Sequence, residues 1–212
     1  MSPTLRPKHR DQLEVGSGIA PEVSAERGTT TVTTVATLRA LQFADYQRRV
    51  PGILFPVHTT DGQVLQIVYR PDTPRLVGGT PLKYDQAEGA PVRLDCPPRC
   101  RAALLNPDIP LWITEGVKKG DSLASRAACV IDLPGVWGFR VPKRLDPRQP
   151  PLPDWRYVQL ADRTVTIVFD SDVSRNPDVA HAREVLSLRR PPVPALPHTR
   201  HSATPRLPSP RR

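Results

Sequence analysis

Glu115, Asp170 and Asp172 are the residues whose types and spacing could do chemistry. Each closes a short apolar run: Leu111-Trp112-Ile113-Thr114 stops at Glu115-Gly116, and Val165-Thr166-Ile167-Val168-Phe169 stops at Asp170-Ser171-Asp172. Carboxylates brought together repel one another, and a hard divalent cation is the physical reason to gather them. Mg2+, or Mn2+ in its place, takes oxygen ligands and is shared between a few carboxylates and substrate phosphates. Such a site serves phosphoryl transfer by neutralising phosphate charge and positioning the attacking oxygen. Asp170 and Asp172 are two apart on an extended chain and so point to one side. An Asp-x-Asp after a strand is also what a turn or a helix cap looks like, and the Glu-Gly upstream is what raises it to a lead.

These acids need strands that end together. Short runs rich in β-branched and aromatic residues read as buried strands of a parallel sheet, and ligands bind beyond the carboxyl ends of such strands. From Ile109 onward, strand and helix alternate. The pattern predicts a strand over 111–114, a helix over 117–128 with Leu123, Ala124, Ala127 and Ala128 inward, and a strand over 128–133. After a basic, Pro-rich connection over 140–153 come one or two helical turns over 154–160. A strand over 164–169 follows, then a helix over 176–188 with Val179, Ala182, Val185 and Leu186 inward. This is a parallel α/β layer.

Upstream, the spacing predicts helices over 9–15 and 21–27, with Pro21 in a first turn and Gly28 as a C-terminal cap. A strand over 29–33 and a helix over 35–42, capped by Thr34 and presenting Val35, Leu38 and Leu41 on one face, come next. Runs over 52–58 and 63–70 flank Thr59-Thr60-Asp61-Gly62 and read as an antiparallel hairpin. Residues 71–81 read as a loop, with short strands over 82–84 and 92–95. Lys83 beside Tyr84 could hold a backbone phosphate and a base, although a half-exposed strand pair has the same sequence.

The chain has 212 residues, 38% of them hydrophobic, and 27 prolines. Residues 189–212 hold seven of those prolines and six arginines with no acid, a composition expected to stay disordered. That tail sets most of the formal charge of +9: without its arginines the count is 24 basic against 21 acidic residues, or +3. The pull toward nucleic acid that a basic chain implies is correspondingly weaker for residues 1–188. No run of about 18 apolar residues suits a membrane span, and the N-terminus lacks the apolar core of a secretory signal, so a cytoplasmic location is expected. Cys96, Cys100 and Cys129 read as ordinary thiols, because no second pair completes a zinc site with Cys96-Pro-Pro-Arg-Cys100.

Taken together, Trp112-Ile113-Thr114-Glu115-Gly116-Val117-Lys118-Lys119, Leu133-Pro134-Gly135-Val136-Trp137 and Val168-Phe169-Asp170-Ser171-Asp172-Val173 resemble the Toprim domain of DnaG-type primases, topoisomerases and some nucleases. More narrowly they resemble a Toprim-like family of unknown function in replication proteins of phages, plasmids and integrated elements, often beside a helicase or ATPase module. Ile53-Leu54-Phe55-Pro56-Val57, Asp61-Gly62 and Pro81-Leu82-Lys83-Tyr84 resemble the small lobe that precedes Toprim in those primases. The resemblance covers residues 10–188. It implies an α/β fold, a Toprim (Rossmann-like) parallel sheet with helices, preceded by a small α+β lobe containing a hairpin. The expected division is a helical segment over 1–50, a β-rich lobe over 51–108, a Toprim-like domain over 109–188 and the basic tail over 189–212.

By that resemblance Glu115 is the general acid/base or metal-organising residue, and Asp170 and Asp172 are metal ligands. Lys118 and Lys119 follow the strand-end glycine, where a helix N-terminus favours phosphate; two lysines on a solvated helix face would look the same. Trp137 could stack on a base or pack against the sheet edge. The implied activity is primase-like, Mg2+-dependent nucleotidyl transfer with single-stranded DNA and nucleotide triphosphates, beside a helicase or ATPase partner and without a membrane. The alternatives are a non-catalytic DNA-binding module and a Toprim-type nuclease. The sequence departs from the primase pattern where Lys118 and Lys119 stand near the position of a further acid. Its change to Arg-Pro sequence at Arg189 is expected of a truncated end.

Overall fold

A computed structural model describes residues 4–169 and 177–188. Two helices open the chain, α1 (Pro7–Ser17) and α2 (Pro21–Arg27), each begun by a proline in its first turn and closed by a left-handed glycine, Gly18 and Gly28. Strand β1 (Thr30–Val32) leads into α3 (Val35–Ala40), where the Thr34 side chain accepts a hydrogen bond from the Thr37 backbone N–H as an N-cap. Leu38 is fully buried, but Val35 is exposed. The helix ends after six residues, too early for the stripe expected through Leu41.

The hairpin forms as its Asp-Gly turn predicts. β2 (Gly52–His58) pairs antiparallel with β3 (Val64–Pro71), and β1 and the short β6 (Asp85–Gln86) complete a sheet in the order β1-β2-β3-β6. The stretch read as a loop over 71–81 contains a second hairpin, β4 (Arg75–Val77) with β5 (Thr80–Leu82). Its turn is Gly78-Gly79, both at positive φ. Lys83 and Tyr84 fall just beyond β5, and residues 92–95 form no strand. There only Asp95 makes an isolated antiparallel bridge to Asp132, and Pro91 and Pro97 on either side have no N–H of their own to extend a ladder.

The second half is the α/β layer. β7 (Leu111–Glu115) lies between β8 (Cys129–Leu133) and β9 (Val165–Val168), parallel to both. Helix α4 (Val117–Ala124) joins β7 to β8, and α5 (Pro177–Leu188) follows β9 in the chain. α4 stops four residues earlier than its pattern suggested. Ala127 takes a left-handed φ of 59° and is exposed, and the inward face is Val117, Gly120, Asp121 and Ala124. Val179 and Ala182 of α5 are buried as expected. One apolar cluster runs from Leu13, Ile19 and Val23 of the first helices through Ile53 and Phe55 to Leu111, Ile113 and Ile131 of the parallel sheet. Burial of these side chains at about 25 cal/mol per Å2 therefore couples the first helices to the strand that carries Glu115.

Candidate functional site

Glu115 ends the central strand and is half-buried. The next residue must turn the chain from strand to helix, and Gly116 does so at a φ of +84°, a conformation that side-chain-bearing residues avoid. Its N–H is held by the Leu133 carbonyl at 3.1 Å, which fixes the end of β7 against the end of β8. Val117 anchors α4 in the core, and Lys118 and Lys119 follow on its first turn.

Beyond these strand ends lies a cleft of about 510 Å3 between the hairpin sheet and the parallel sheet. Glu115, Lys118, Lys119 and Lys83 all line it, so four of the residues singled out from sequence meet there. Trp137 does not line it. Its ring packs 5.9 Å from Phe139 and 5.6 Å from His181, with the Arg140 guanidinium 4.1 Å above it. Asp170 and Asp172 lie outside the described residues. Among the described residues no group of three or more His, Cys, Asp or Glu side chains is arranged to hold a metal ion.

The cleft is polar in ways the sequence did not reveal. Gln66, Val68 and Arg70 alternate on β3 and all face it. The Gln66 Oε1 and Arg70 Nε atoms are buried there without a hydrogen-bond partner. A buried unmet donor or acceptor costs roughly 1–3 kcal/mol. Arg70 also lies close enough to Lys118 that their like charges add to burial, and together these hold the Lys118 pKa below the usual lysine value. A strand pattern read for its apolar face ignores its polar one, which is why Gln66 and Arg70 were missed.

Behind the cleft sits a second cluster that sequence reasoning also missed. Arg27, the last residue of α2, is 1% exposed. Its Nε donates to both Asp121 carboxylate oxygens at 2.9 and 2.7 Å, and its Nη1 donates to Asp95 Oδ1 at 3.0 Å and the Pro56 carbonyl at 2.9 Å. Burial alone would weaken the Arg27 charge, but Asp95 and Asp121 reverse that and hold its pKa well above the usual value. Asp132 completes the group and lines the cleft floor together with Asp95. Burial first, and Asp95 next, push the Asp132 carboxyl well above the ordinary range. Oδ2 of Asp95 is ion-paired with Arg27 Nη2 at 2.8 Å but, like Oδ2 of Asp132, accepts no well-directed hydrogen bond. A proton kept on Asp132 and offered to Asp95 would satisfy both. Gly120 explains itself here, since a Cβ on α4 would overlap the Asp132 carboxyl.

Comparison with known proteins bears on the fold that carries this cleft. Residues 101–188 match a family described as a domain of unknown function, DUF3854. An uncharacterized protein of Picosynechococcus sp. is 34% identical over 76 residues, which is 32% of this chain and 8% of that protein. Among solved structures, the zinc-binding and RNA polymerase domains of the Aquifex aeolicus primase superpose with a TM-score of 0.56 at 13% identity, over 85% of this chain and 46% of that one. A DNA primase domain from Pseudomonas aeruginosa gives a TM-score of 0.49 at 16% identity, over 84% and 58%. The chain thus spans under half of the Aquifex structure and under a tenth of the curated relative. At this identity the likeness is one of fold: a parallel Toprim-type sheet with a small α+β lobe before it, similar to the catalytic core of DnaG-type primases.

Proposed function

We propose that the protein is a primase-like nucleotidyltransferase that binds single-stranded DNA and a nucleotide triphosphate in the cleft between its two sheets. The observation that carries this reading is the buried, unpartnered Arg70 Nε beside a like-charged Lys118, in a cleft that also holds Lys83, Arg93 and Lys119 and ends at Glu115. A phosphate oxygen accepting from Arg70 would satisfy the orphan donor and relieve the repulsion in one contact. Charge-assisted hydrogen bonds of this kind are the strong ones. Lys83, from the hairpin side, and Lys119, from α4, approach the same space from opposite walls and suit a backbone that runs between them.

The oxygen donors at the strand end fit Mg2+ or Mn2+ in type, with Glu115 in the cleft and Asp170 and Asp172 the further carboxylates that the resemblance supplies. A bound cation would neutralise phosphate charge there. Glu115 would accept the proton of the attacking hydroxyl, while Lys118 and Arg70 hold the phosphates and Gln66 accepts a hydrogen bond from the base or sugar. Trp137, packed on Phe139 and His181, contributes by stiffening the exit from β8.

The test is primer synthesis from labelled nucleotides on a single-stranded template in Mg2+, comparing the wild type with Glu115→Gln and with Asp170→Asn/Asp172→Asn. Loss of product in both variants is expected; equal product in all three would sink the catalytic assignment. The cationic lining also favours a second reading, binding without chemistry. DNA affinity would then survive EDTA while falling steeply with salt, and a strict Mg2+ requirement for binding would reject it. Nicking of plasmid DNA in Mg2+ or Mn2+ would point instead to a Toprim-type nuclease.

A further inference from the structure

Strand β8 ends at the cleft with Leu133 and begins, at its other end, with Cys129. There the fold brings together two cysteines separated by 28 residues of sequence. Cys100, in the 3-10 turn over Pro98–Ala103, donates its thiol to the Ala128 carbonyl at 3.3 Å, and the Cys129 sulfur lies 3.8 Å from the Cys100 carbonyl. These two contacts put the Cys129 side chain against the backbone of Cys100 and the Cys100 side chain against the residue before Cys129.

Arg163, 8% exposed, reaches this pair from the loop before β9. It donates to the carbonyls of Leu104 and Ile109, both at 2.7 Å, and of Ala103 at 3.1 Å and Gln159 at 3.2 Å. Its remaining contact is Nη2 to the Cys129 sulfur at 3.4 Å. Carbonyls carry no net charge, so among these partners a Cys129 thiolate is the one group able to balance a buried guanidinium. The same Arg163 forms part of the wall of a cavity of about 470 Å3 on the sheet face, so one side chain separates that cavity from the buried Cys129 sulfur.

We propose that Cys100 and Cys129 are a reversible, peroxide-sensitive thiol pair, with Cys129 the attacking sulfur and Cys100 the resolving one. The neighbouring Cys100 thiol, followed by the Arg163 charge whose Nη2 stands 3.4 Å from the sulfur, holds the Cys129 pKa below the ordinary thiol value against the effect of burial. Cys100 is pushed the other way and keeps its proton. This asymmetry is what an attacking and a resolving thiol require.

The Cys129 thiolate attacks a peroxide oxygen: an S–O bond forms, the O–O bond breaks, and the departing hydroxide takes up a proton to become water. Cys129 sulfur is thereby oxidised by two electrons to the sulfenic acid. Cys100 sulfur then attacks it, an S–S bond forms, the S–O bond breaks, and the hydroxide leaves as water with the Cys100 proton. The disulfide closes a loop over 100–129 that carries β7, α4, Glu115, Lys118 and Lys119, bracing the frame from behind. A thiol reductant reverses it.

The reduced full-length chain is treated with hydrogen peroxide at neutral pH, digested without reductant and read by mass spectrometry. The expected product is a Cys100–Cys129 linked peptide that dithiothreitol removes, present in Cys96→Ser and absent in Cys129→Ser. The unfolding midpoint of the oxidised chain should rise on the order of 10 °C for a loop of this length, with no such rise in Cys129→Ser. A link through Cys96, a disulfide between chains, or thiols that stay unreacted when folded yet react at once in urea would each overturn the proposal.

Discussion

Two polar clusters border the same cleft, and they differ in whether their arginine is answered. Around Arg27, every guanidinium nitrogen faces Asp121, Asp95 or the Pro56 carbonyl. Around Arg70, a second cation, Lys118, lies close, the Tyr84 ring stands 5.8 Å from the guanidinium, and Nε has no hydrogen-bond partner. In the first, the cation is fully answered within the protein and belongs to the architecture. The second is incomplete within the protein, and a phosphate would complete it. Burial alone would not separate the two arginines; the hydrogen bonds each guanidinium makes do.

The largest effect should come from breaking the satisfied cluster. Arg27→Ala leaves Asp95 and Asp121 buried without their countercharge and should lower the unfolding free energy by about 3–5 kcal/mol, read by urea denaturation. A loss under 1 kcal/mol would mean that water reaches the cluster. Next, Glu115→Gln should cut primer synthesis by roughly 100-fold or more with an unchanged urea midpoint. An equal loss of stability would place Glu115 among the architectural charges.

Smaller effects sharpen the contrast. Arg70→Gln and Lys118→Gln should each weaken single-stranded DNA binding by roughly 10-fold and shallow its salt dependence by about one phosphate contact. Neither should lower stability by more than the loss of the Arg70 guanidinium from the Tyr84 ring accounts for, about 0.5–1 kcal/mol. Asp132→Asn tests the shared proton. A carboxyl with a raised folded pKa binds more protons when folded than when unfolded, so its contribution to stability falls as pH climbs above the unfolded value. The asparagine variant should lose that decline and match or exceed the wild type at pH 8, by about 1 kcal/mol. An unchanged pH profile would show that Asp132 is not the group that titrates.

Much of this architecture was legible in the residues. Pro21 and Gly28 marked both ends of α2, Asp61-Gly62 marked the hairpin, and Leu111–Thr114 with Cys129–Leu133 marked neighbouring parallel strands. The errors have a common cause. Ala127 and Ala128 continue a helical pattern, yet α4 ends before them as the chain turns into β8. Residues 92–95 alternate like a strand, but prolines on either side leave Asp95 a single bridge. Local propensity describes a segment alone, and tertiary contacts overrule it where segments meet.

The candidate site divides in the same way. Glu115-Gly116 and the lysines after it were readable because strand end, tight turn and helix start are contiguous in sequence, and contiguity fixes their geometry. Sequence also determined the acid-ending apolar runs and the charge separation between residues 1–188 and the tail. Only the tertiary structure decided that Arg27 meets Asp121 across 94 residues, that Lys83 shares a cleft with Lys118 while Trp137 does not, and that Gln66 and Arg70 are left unanswered. Those facts depend on which faces of distant elements are pressed together and desolvated, and no one-dimensional spacing encodes that.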